Sequence, residues 1–344
     1  MRLVKILIVK LSSLGDVVHA MPAVQDIRAA MPGAQIDWVV ERGFAALVRR
    51  CEGIHRVIDC DLRRWSKTLL RAQTRAQWRA FRTELRSQTY DAVIDLQGLT
   101  KSALVARMAR LSAGGKRYAL ANQTEGAGYE APTRWVADVA IPIAPHVHAV
   151  TRSRELCARA LGYAMPTSLR FGLMADATAF RRGESSRCVA LVHGTSREDK
   201  CWPESHWLEL GRRLIGDGRT LALLHGSDGE RERSERLAHE LGPQAQVWPR
   251  CDLGSLTDRL AACDGVIGVD SGLSHVAVAL DLPHVQIYNF DTAWRTGPLA
   301  SAAEPSLPVR PEPVEGRQRS IYAQPTPSVD AVWQAWQAVS KVHA

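Results

Sequence analysis

The chain of 344 residues is long enough for two domains with separate cores, and its 46% hydrophobic and 23% charged content is ordinary for a soluble globular protein. No uninterrupted apolar run approaches the roughly 20 residues a bilayer span needs. The N-terminus also lacks the long apolar region and cleavage site of a signal peptide, so a cytoplasmic protein is expected. The net charge of +8 is lopsided: residues 62–117 hold ten Arg and three Lys against Glu84, Asp91 and Asp95, a local net of +10 that leaves the remainder near −2. An acidic small substrate, an anionic membrane surface or nucleic acid would each suit such a block.

In chain order, Lys5–Lys10 reads as a buried strand, followed by a small-residue loop with one carboxylate, Asp16. Met21–Met31 reads as a helix ended by Pro32-Gly33, and Gln35–Val40 and Arg56–Cys60 as strands. Arg71, Arg75, Arg79, Arg82 and Arg86 fall on one helical stripe, with Leu70, Trp78, Phe81 and Leu85 on the next. Such a helix is either an ordinary surface helix with a core stripe or one that lies on an anionic membrane. Asp91–Leu96 is a further strand, and a Ser/Ala-rich helix follows Gln97-Gly98-Leu99.

The second half repeats the theme, with strands at Cys188–Val192, Thr220–Leu224, Val247–Pro249, Val266–Val269 and, last, Val285–Tyr288. Helices are expected at Glu204–Asp217, Gly229–Leu241, Leu253–Ala262 and Gly272–Leu280. Alternating units of this kind imply parallel sheets covered by helices, an α/β protein of two Rossmann-like halves. Residues 166–187 read as the linker between domains 1–165 and 188–320. Residues 302–319, rich in Pro, Glu and Arg, read as an exposed loop. A final helix within 321–344 puts Val329, Val332, Trp333, Trp336 and Val339 on one face and can dock on either domain. The seven cysteines (Cys51, Cys60, Cys157, Cys188, Cys201, Cys251 and Cys263) form no C-x-x-C pair, so reduced structural thiols and no metal site are expected.

Several strand-end segments carry residues suited to chemistry. In Ser12-Ser13-Leu14-Gly15-Asp16 the carboxylate is either a helix cap or a catalyst at the carboxyl edge of a sheet. Val269-Asp270-Ser271-Gly272-Leu273-Ser274-His275 leads a strand into a helix, whose free amides and dipole suit a diphosphate. Asp270 would repel that anion, so it is expected to orient donors or bind a hydroxyl. His193-Gly-Thr195-Ser196-Arg-Glu-Asp-Lys200-Cys-Trp-Pro203 can converge on an anion or be a solvated loop. After Thr220–Leu224, Glu230 can take a ribose diol or merely answer a helix dipole. Arg63-Arg64-Trp65-Ser66-Lys67 packs cations around a Trp, which suits phosphate or carboxylate capture.

Taken in order, Ser12–Asp16, Asp91-Ala-Val-Ile-Asp-Leu-Gln-Gly-Leu-Thr-Lys101-Ser, Asp199-Lys200-Cys-Trp-Pro203 and Val269–His275 resemble the lipopolysaccharide heptosyltransferases of glycosyltransferase family 9. The Arg-Glu-Asp-Lys-x-Trp-Pro form is more similar to the first of their two types than to the second. The likeness runs from about Lys5 to Tyr288. It implies a GT-B fold, two Rossmann-like domains with a cleft between them, the first binding acceptor and the second donor. It implies ADP-L-glycero-β-D-manno-heptose as donor substrate with no separate cofactor. It also implies Kdo2-lipid A as acceptor and peripheral contact with the anionic inner-membrane surface on its cytoplasmic face, with no nucleic acid partner.

Carried over residue by residue, the resemblance makes Asp16 the general base. It puts Thr195, Ser196, Lys200 and the amides of Ser271, Gly272 and Leu273 on the diphosphate, with Asp270 and His275 beside them. Glu230 falls on the ribose and Cys251 at the adenine pocket, while Arg63, Arg64, Lys67 and Lys101 become acceptor-side cations. Tyr288-Asn-Phe-Asp-Thr-Ala293 departs from the family's usual Tyr-Gly-Pro-Thr-Asp-Pro, segment 120–134 differs from the commoner acceptor-domain pattern, and the Pro-rich insert has no placed counterpart. The competing readings are the second heptosyltransferase type, another nucleotide-sugar transferase, a nucleotide-sugar epimerase and a basic nucleic-acid binder. The last accounts for the charge but leaves the strand-end loops unexplained.

Overall fold

The computed structural model describes residues 3–68, 70–178, 180, 187–299 and 316–341. It divides into two compact units, Met1–Leu173 and Met174–Ala344.

In the first unit the elements run β1 (Lys5–Val9), α1 (Leu14–Ala30), β2 (Gln35–Glu41), α2 (Arg42–Val48), β3 (Ile54–Cys60), α3 (Leu62–Trp65) and α4 (Ala72–Leu85). They continue β4 (Thr89–Asp95), α5 (Thr100–Met108), β5 (Arg110–Leu120), α6 (Pro132–Val136), β6 (Val139–Ile141) and α7 (Ala149–Leu161). The strands form one parallel sheet in the order β3-β2-β1-β4-β5-β6. Ile6, Leu7, Ile8 and Val9 are fully buried because β1 is central and covered on both faces, which is why it reads as an unbroken apolar run.

The second unit runs β7 (Cys188–Val192), a 3-10 turn (Glu198–Lys200), α8 (Glu204–Gly216), β8 (Thr220–Leu223), α9 (Asp228–Leu241), β9 (Ala245–Val247) and α10 (Leu253–Ala261). It ends β10 (Gly265–Val269), α11 (Gly272–Ala279), β11 (His284–Tyr288), α12 (Ala293–Thr296), β12 (Gln318–Tyr322) and α13 (Val329–Ser340). Its sheet, β12-β11-β10-β7-β8-β9, is also parallel. In both units the first strand lies beside the fourth, so the order in which strands are added reverses at that pair. Such a switch point opens a crevice at the strands' carboxyl ends.

The structure departs from sequence expectation in instructive places. Helix α1 begins at Leu14, well before Met21, and runs through Pro22. A proline inside a helix costs roughly 3 kcal/mol. Here the continuous burial of Val17 to Ile27 and packing against α7 offset it. Asp16 therefore stands in the first turn of a helix, not in a loop. Strands β5 and β6 and helix α7 were not anticipated. β5 carries a glycine pair and is fully buried only at Ala119 and Leu120, and α7 hides its period by burying Arg152 and Arg154. Arg154 is satisfied by a bidentate pair with buried Asp26, at 2.6 and 3.1 Å. Leu70 lies before α4 and is 91% exposed, so only Phe81 and Leu85 of the expected stripe are fully in the core, with Trp78 packed at its edge.

In the second unit β11 is not the last strand. β12 begins at Gln318, so the end of the stretch read as a loop is sheet; residues 302–315 of that stretch, like 181–186 of the linker, lie outside the described residues. β9 sits two residues earlier than expected. α13 docks within the second unit, against α8, β11 and β12, burying Val329, Val332, Trp336 and Val339.

Candidate active site

In the first unit, Asp16 sits just past β1, at the switch point. Ser13 precedes the helix and donates to Asp16 Oδ2 from its backbone N–H (3.2 Å) and its hydroxyl (2.9 Å). Asp16 thus does cap the helix start, by reaching back from the first turn rather than standing before it. Its Oδ1 faces Lys10 Nζ at 3.6 Å and Arg152 Nη2 at 3.5 Å, and 35% of the side chain is open to solvent. Burial works against the charge, but Lys10, Arg152 and the Ser13 donors outweigh it and hold the carboxyl below the usual aspartate range. Lys10 is fully buried, which pulls its own pKa down against the attraction of Asp16, and it also donates to the Leu96 carbonyl (3.1 Å).

β4 supplies the rest of this floor. Gln97 Oε1 accepts from the backbone N–H groups of Leu11 and Ser12, both at 3.0 Å, fixing the segment that carries Asp16. Asp95 is buried, and burial pushes its pKa up to about 6 despite hydrogen bonds from the Gln97 and Gly98 amides and the Ser102 hydroxyl.

The four cations expected on the acceptor side are not equivalent. Arg63 donates to Ser12 Oγ at 3.1 Å, one residue from the Ser13 cap, and so belongs to the Asp16 network. Arg64 is engaged by Asp61 (2.6 Å) and Gln77 (2.7 Å). Lys67 and Lys101 are exposed and make no ion pair among the described residues.

In the second unit, Lys200 Nζ pairs with Asp270 Oδ2 at 2.5 Å, and His275 Nε2 lies 3.5 Å from Asp270 Oδ1. Burial opposes the Asp270 charge, yet His275 and Lys200 hold its carboxyl far below the usual range. Asp270 therefore orients two donors. Thr195 Oγ1 donates to the Asp270 carbonyl at 3.4 Å, while Ser196 is exposed. Ser271 stands at the N-cap position of α11, and its hydroxyl has no hydrogen-bond partner among the described residues. The amides that follow it at Gly272 and Leu273 begin the helix and have no intrahelical acceptor. Gly268 lets this helix start lie close: a Cβ there would sit 2.8 Å from Val192 Cβ and strike Ser274 Oγ.

Glu230 Oε2 accepts from the Gly226 and Ser227 amides, at 2.6 and 3.2 Å, so the residue expected on the ribose is a capping-box member. Its other oxygen lies against Gly194, where no Cβ would fit without shifting it. Cys251 is exposed, just before the Asp252 cap of α10.

Sequence reasoning passed over Lys10, Arg152, Gln97 and Asn289. Lys10 directly follows the buried apolar run of β1, and an interior lysine needs a partner; that signal was present. Arg152 lies in an unanticipated helix and gave none. Asn289 Nδ2 donates to the Asp199 and Cys201 carbonyls, at 2.9 and 3.0 Å, and so fixes the turn that carries Lys200. No helix among the described residues is long and apolar enough to cross a membrane.

Comparisons with known proteins bear on these two constellations. A family model described as Glycosyltransferase family 9 (heptosyltransferase) matches residues 78–318. The chain is 40% identical over 288 residues to Lipopolysaccharide heptosyltransferase 1 of Escherichia coli strain K12, covering 83% of this chain and 87% of that one. The solved structure of E. coli heptosyltransferase WaaC with ADP superposes with a TM-score of 0.80 at 34% identity, covering 96% of this chain and 98% of that one. The same heptosyltransferase with ADP-2-deoxy-2-fluoro heptose gives 0.74 at 33% identity, covering 98% of both chains. The chain belongs to glycosyltransferase family 9, the heptosyltransferases, as a sugar-transferring enzyme with the two Rossmann-like units of the GT-B fold.

Proposed function

We propose that this enzyme moves L-glycero-D-manno-heptose from ADP-L-glycero-β-D-manno-heptose to a Kdo hydroxyl of Kdo2-lipid A, with inversion, during assembly of the lipopolysaccharide inner core. The observation that carries the reading is Asp16, kept ionised by Lys10 and Arg152 at the carboxyl end of β1 with one oxygen turned to those cations and the side chain partly open. The similarity to type 1 enzymes and to a structure with an ADP-heptose analogue supports the donor and the step.

The acceptor hydroxyl attacks the anomeric carbon as the bond to ADP breaks. A carboxylate with a depressed pKa is a weak base towards a free hydroxyl. It suffices once the forming C–O bond has made that hydroxyl acidic, and its charge favours an oxocarbenium-like transition state. ADP leaves without protonation because Lys200, Thr195, Ser196, His275 and the Ser271–Leu273 amides meet its charge. Lys200 has three donors, so it can keep Asp270 and still face phosphate. Glu230 and Cys251 are assigned to the ribose and adenine, and no cofactor beyond the donor substrate is required. Arg63, Arg64, Lys67 and Lys101 draw in the acidic acceptor, and the enzyme works peripherally at the cytoplasmic face of the inner membrane.

Asp16→Ala tests the assignment: turnover should fall by about 10²–10⁴-fold, with ADP binding retained by calorimetry. Near-normal turnover would remove Asp16 as the base. An acceptor panel tests the step, because a preference for an acceptor already bearing one heptose would move the enzyme to the second transfer.

A further inference from the structure

The first unit contains a cavity to which, of the residues assigned above, only Lys101 contributes. It lies among α3, α4 and α5, measures about 400 Å³, and its wall is apolar: Leu62, Trp65, Trp78, Leu104, Val105 and Met108. Its few polar side chains are already occupied. Ser66 donates to the Arg63 carbonyl (3.1 Å), Thr74 bonds Thr68 (2.9 Å), and Trp65 Nε1 donates to Gln77 (3.1 Å). Nothing inside can direct a polar ligand. At the rim stand Arg75, Arg79 and Lys101, none with an ion-pair partner among the described residues. Leu104 is 57% exposed beside them.

An apolar slot with exposed cations at its mouth is complementary to a hydrocarbon chain carried by an anionic head. The slot is tied to the Asp16 network through α3. Leu62 and Trp65 line it from α3, while Arg63 of the same short helix donates to Ser12 beside the Asp16 cap.

We propose that this slot holds one acyl chain of the acceptor glycolipid, so that the enzyme reads the lipid as well as the sugar. The inference rests on the acceptor assigned above. Each methylene buried is worth roughly a factor of four in binding, so a short length of chain matters.

Leu104→Asn tests it, without adding a charge beside Lys101, in the full-length enzyme, with acylated Kdo2-lipid A in mixed micelles and with its fully deacylated, water-soluble form. Leu104 is exposed, so folding should be undisturbed and an unchanged melting curve will verify it. The variant should raise KM for the acylated acceptor about tenfold or more and leave KM and kcat for the deacylated one unchanged. In a direct arm, monododecyl phosphate below its micelle concentration should change the tryptophan emission of the parent enzyme and bind Leu104→Asn at least about tenfold more weakly. Equal effects on both acceptors, or no binding of dodecyl phosphate by the parent, would overturn the proposal. So would loss of binding to anionic phospholipid vesicles with both KM values unchanged, which would make bulk membrane lipid the occupant. If the parent enzyme transfers heptose to neither acceptor, it is the function reading that has failed, and the occupant falls with it.

Discussion

The two units share a strand order and use its switch point in opposite ways. In the first, a carboxylate, Asp16, is presented after β1 and held by two buried cations, Lys10 and Arg152. In the second, a cation, Lys200, is presented after β7 and held by a buried carboxylate, Asp270. One fold thus sets a partly open carboxylate against buried cations in one copy and a partly open lysine against a buried carboxylate in the other, exchanging which sign is buried. The buried member of each pair acts through the other, so it is a positioning group. Duplicated topology sets where chemistry occurs; the charge placed beneath the crevice sets which chemistry it is.

The largest effect is expected on the anion-receiving side. Lys200→Met removes the presented cation and leaves Asp270 without its 2.5 Å partner. A loss of about 10²–10³ in kcat/KM is expected, with weaker ADP binding by calorimetry; unchanged ADP affinity would break the symmetry drawn here. Next, Lys10→Met withdraws one cation from Asp16, whose pKa must then rise. The acid limb of the kcat/KM profile should move to higher pH, whereas the same profile for Lys200→Met should keep its limb. A limb that stays in place in Lys10→Met would show that Arg152 and Ser13 alone hold the charge.

Smaller again is Gly268→Ala, which forces a Cβ between Val192 and Ser274. Overpacking of this kind costs about 1–3 kcal/mol, read by denaturant melting, and should raise donor KM while sparing acceptor KM. The smallest effect is a divergence in acid. His193 and His284 of the second unit are held to about 4 by burial. Their unfolded forms bind protons below about 6.5, so their contribution to stability is lost as pH falls from there towards 4. Asp95 of the first unit is raised to about 6. Its folded form binds the proton first, so its contribution grows as pH falls through 6 and is lost on the way back up. Hydrogen exchange followed separately in the two units between pH 6.5 and 4 should show the second weakening relative to the first; parallel behaviour would refute the assignment of these groups.

Much of this was legible in the chain itself. The central strands are buried on both faces, so Lys5–Val9, Cys188–Val192 and Gly265–Val269 had to be continuous apolar runs, and such runs can be read without a structure. The polar segments at their ends gave Asp16, Lys200 and Asp270. Two Rossmann-like halves, the basic block and the family likeness followed from the same residues.

The partners of those residues were decided by tertiary structure alone. Arg152 is 136 positions from Asp16, in a helix whose buried arginines erase the apolar period that would have announced it. Helix α1 continues through Pro22 because packing outweighs a local penalty, and that continuation moves Asp16 from a loop into a helical turn. Glu230, read as a ribose ligand or a carboxylate answering a helix dipole, also holds the Gly226 and Ser227 amides, a tie its place in the chain did not show. Local sequence fixes which groups are polar, apolar or charged, and with what period. The sign and strength of each site depend on groups brought within 4 Å from distant segments, and only the folded chain brings them there.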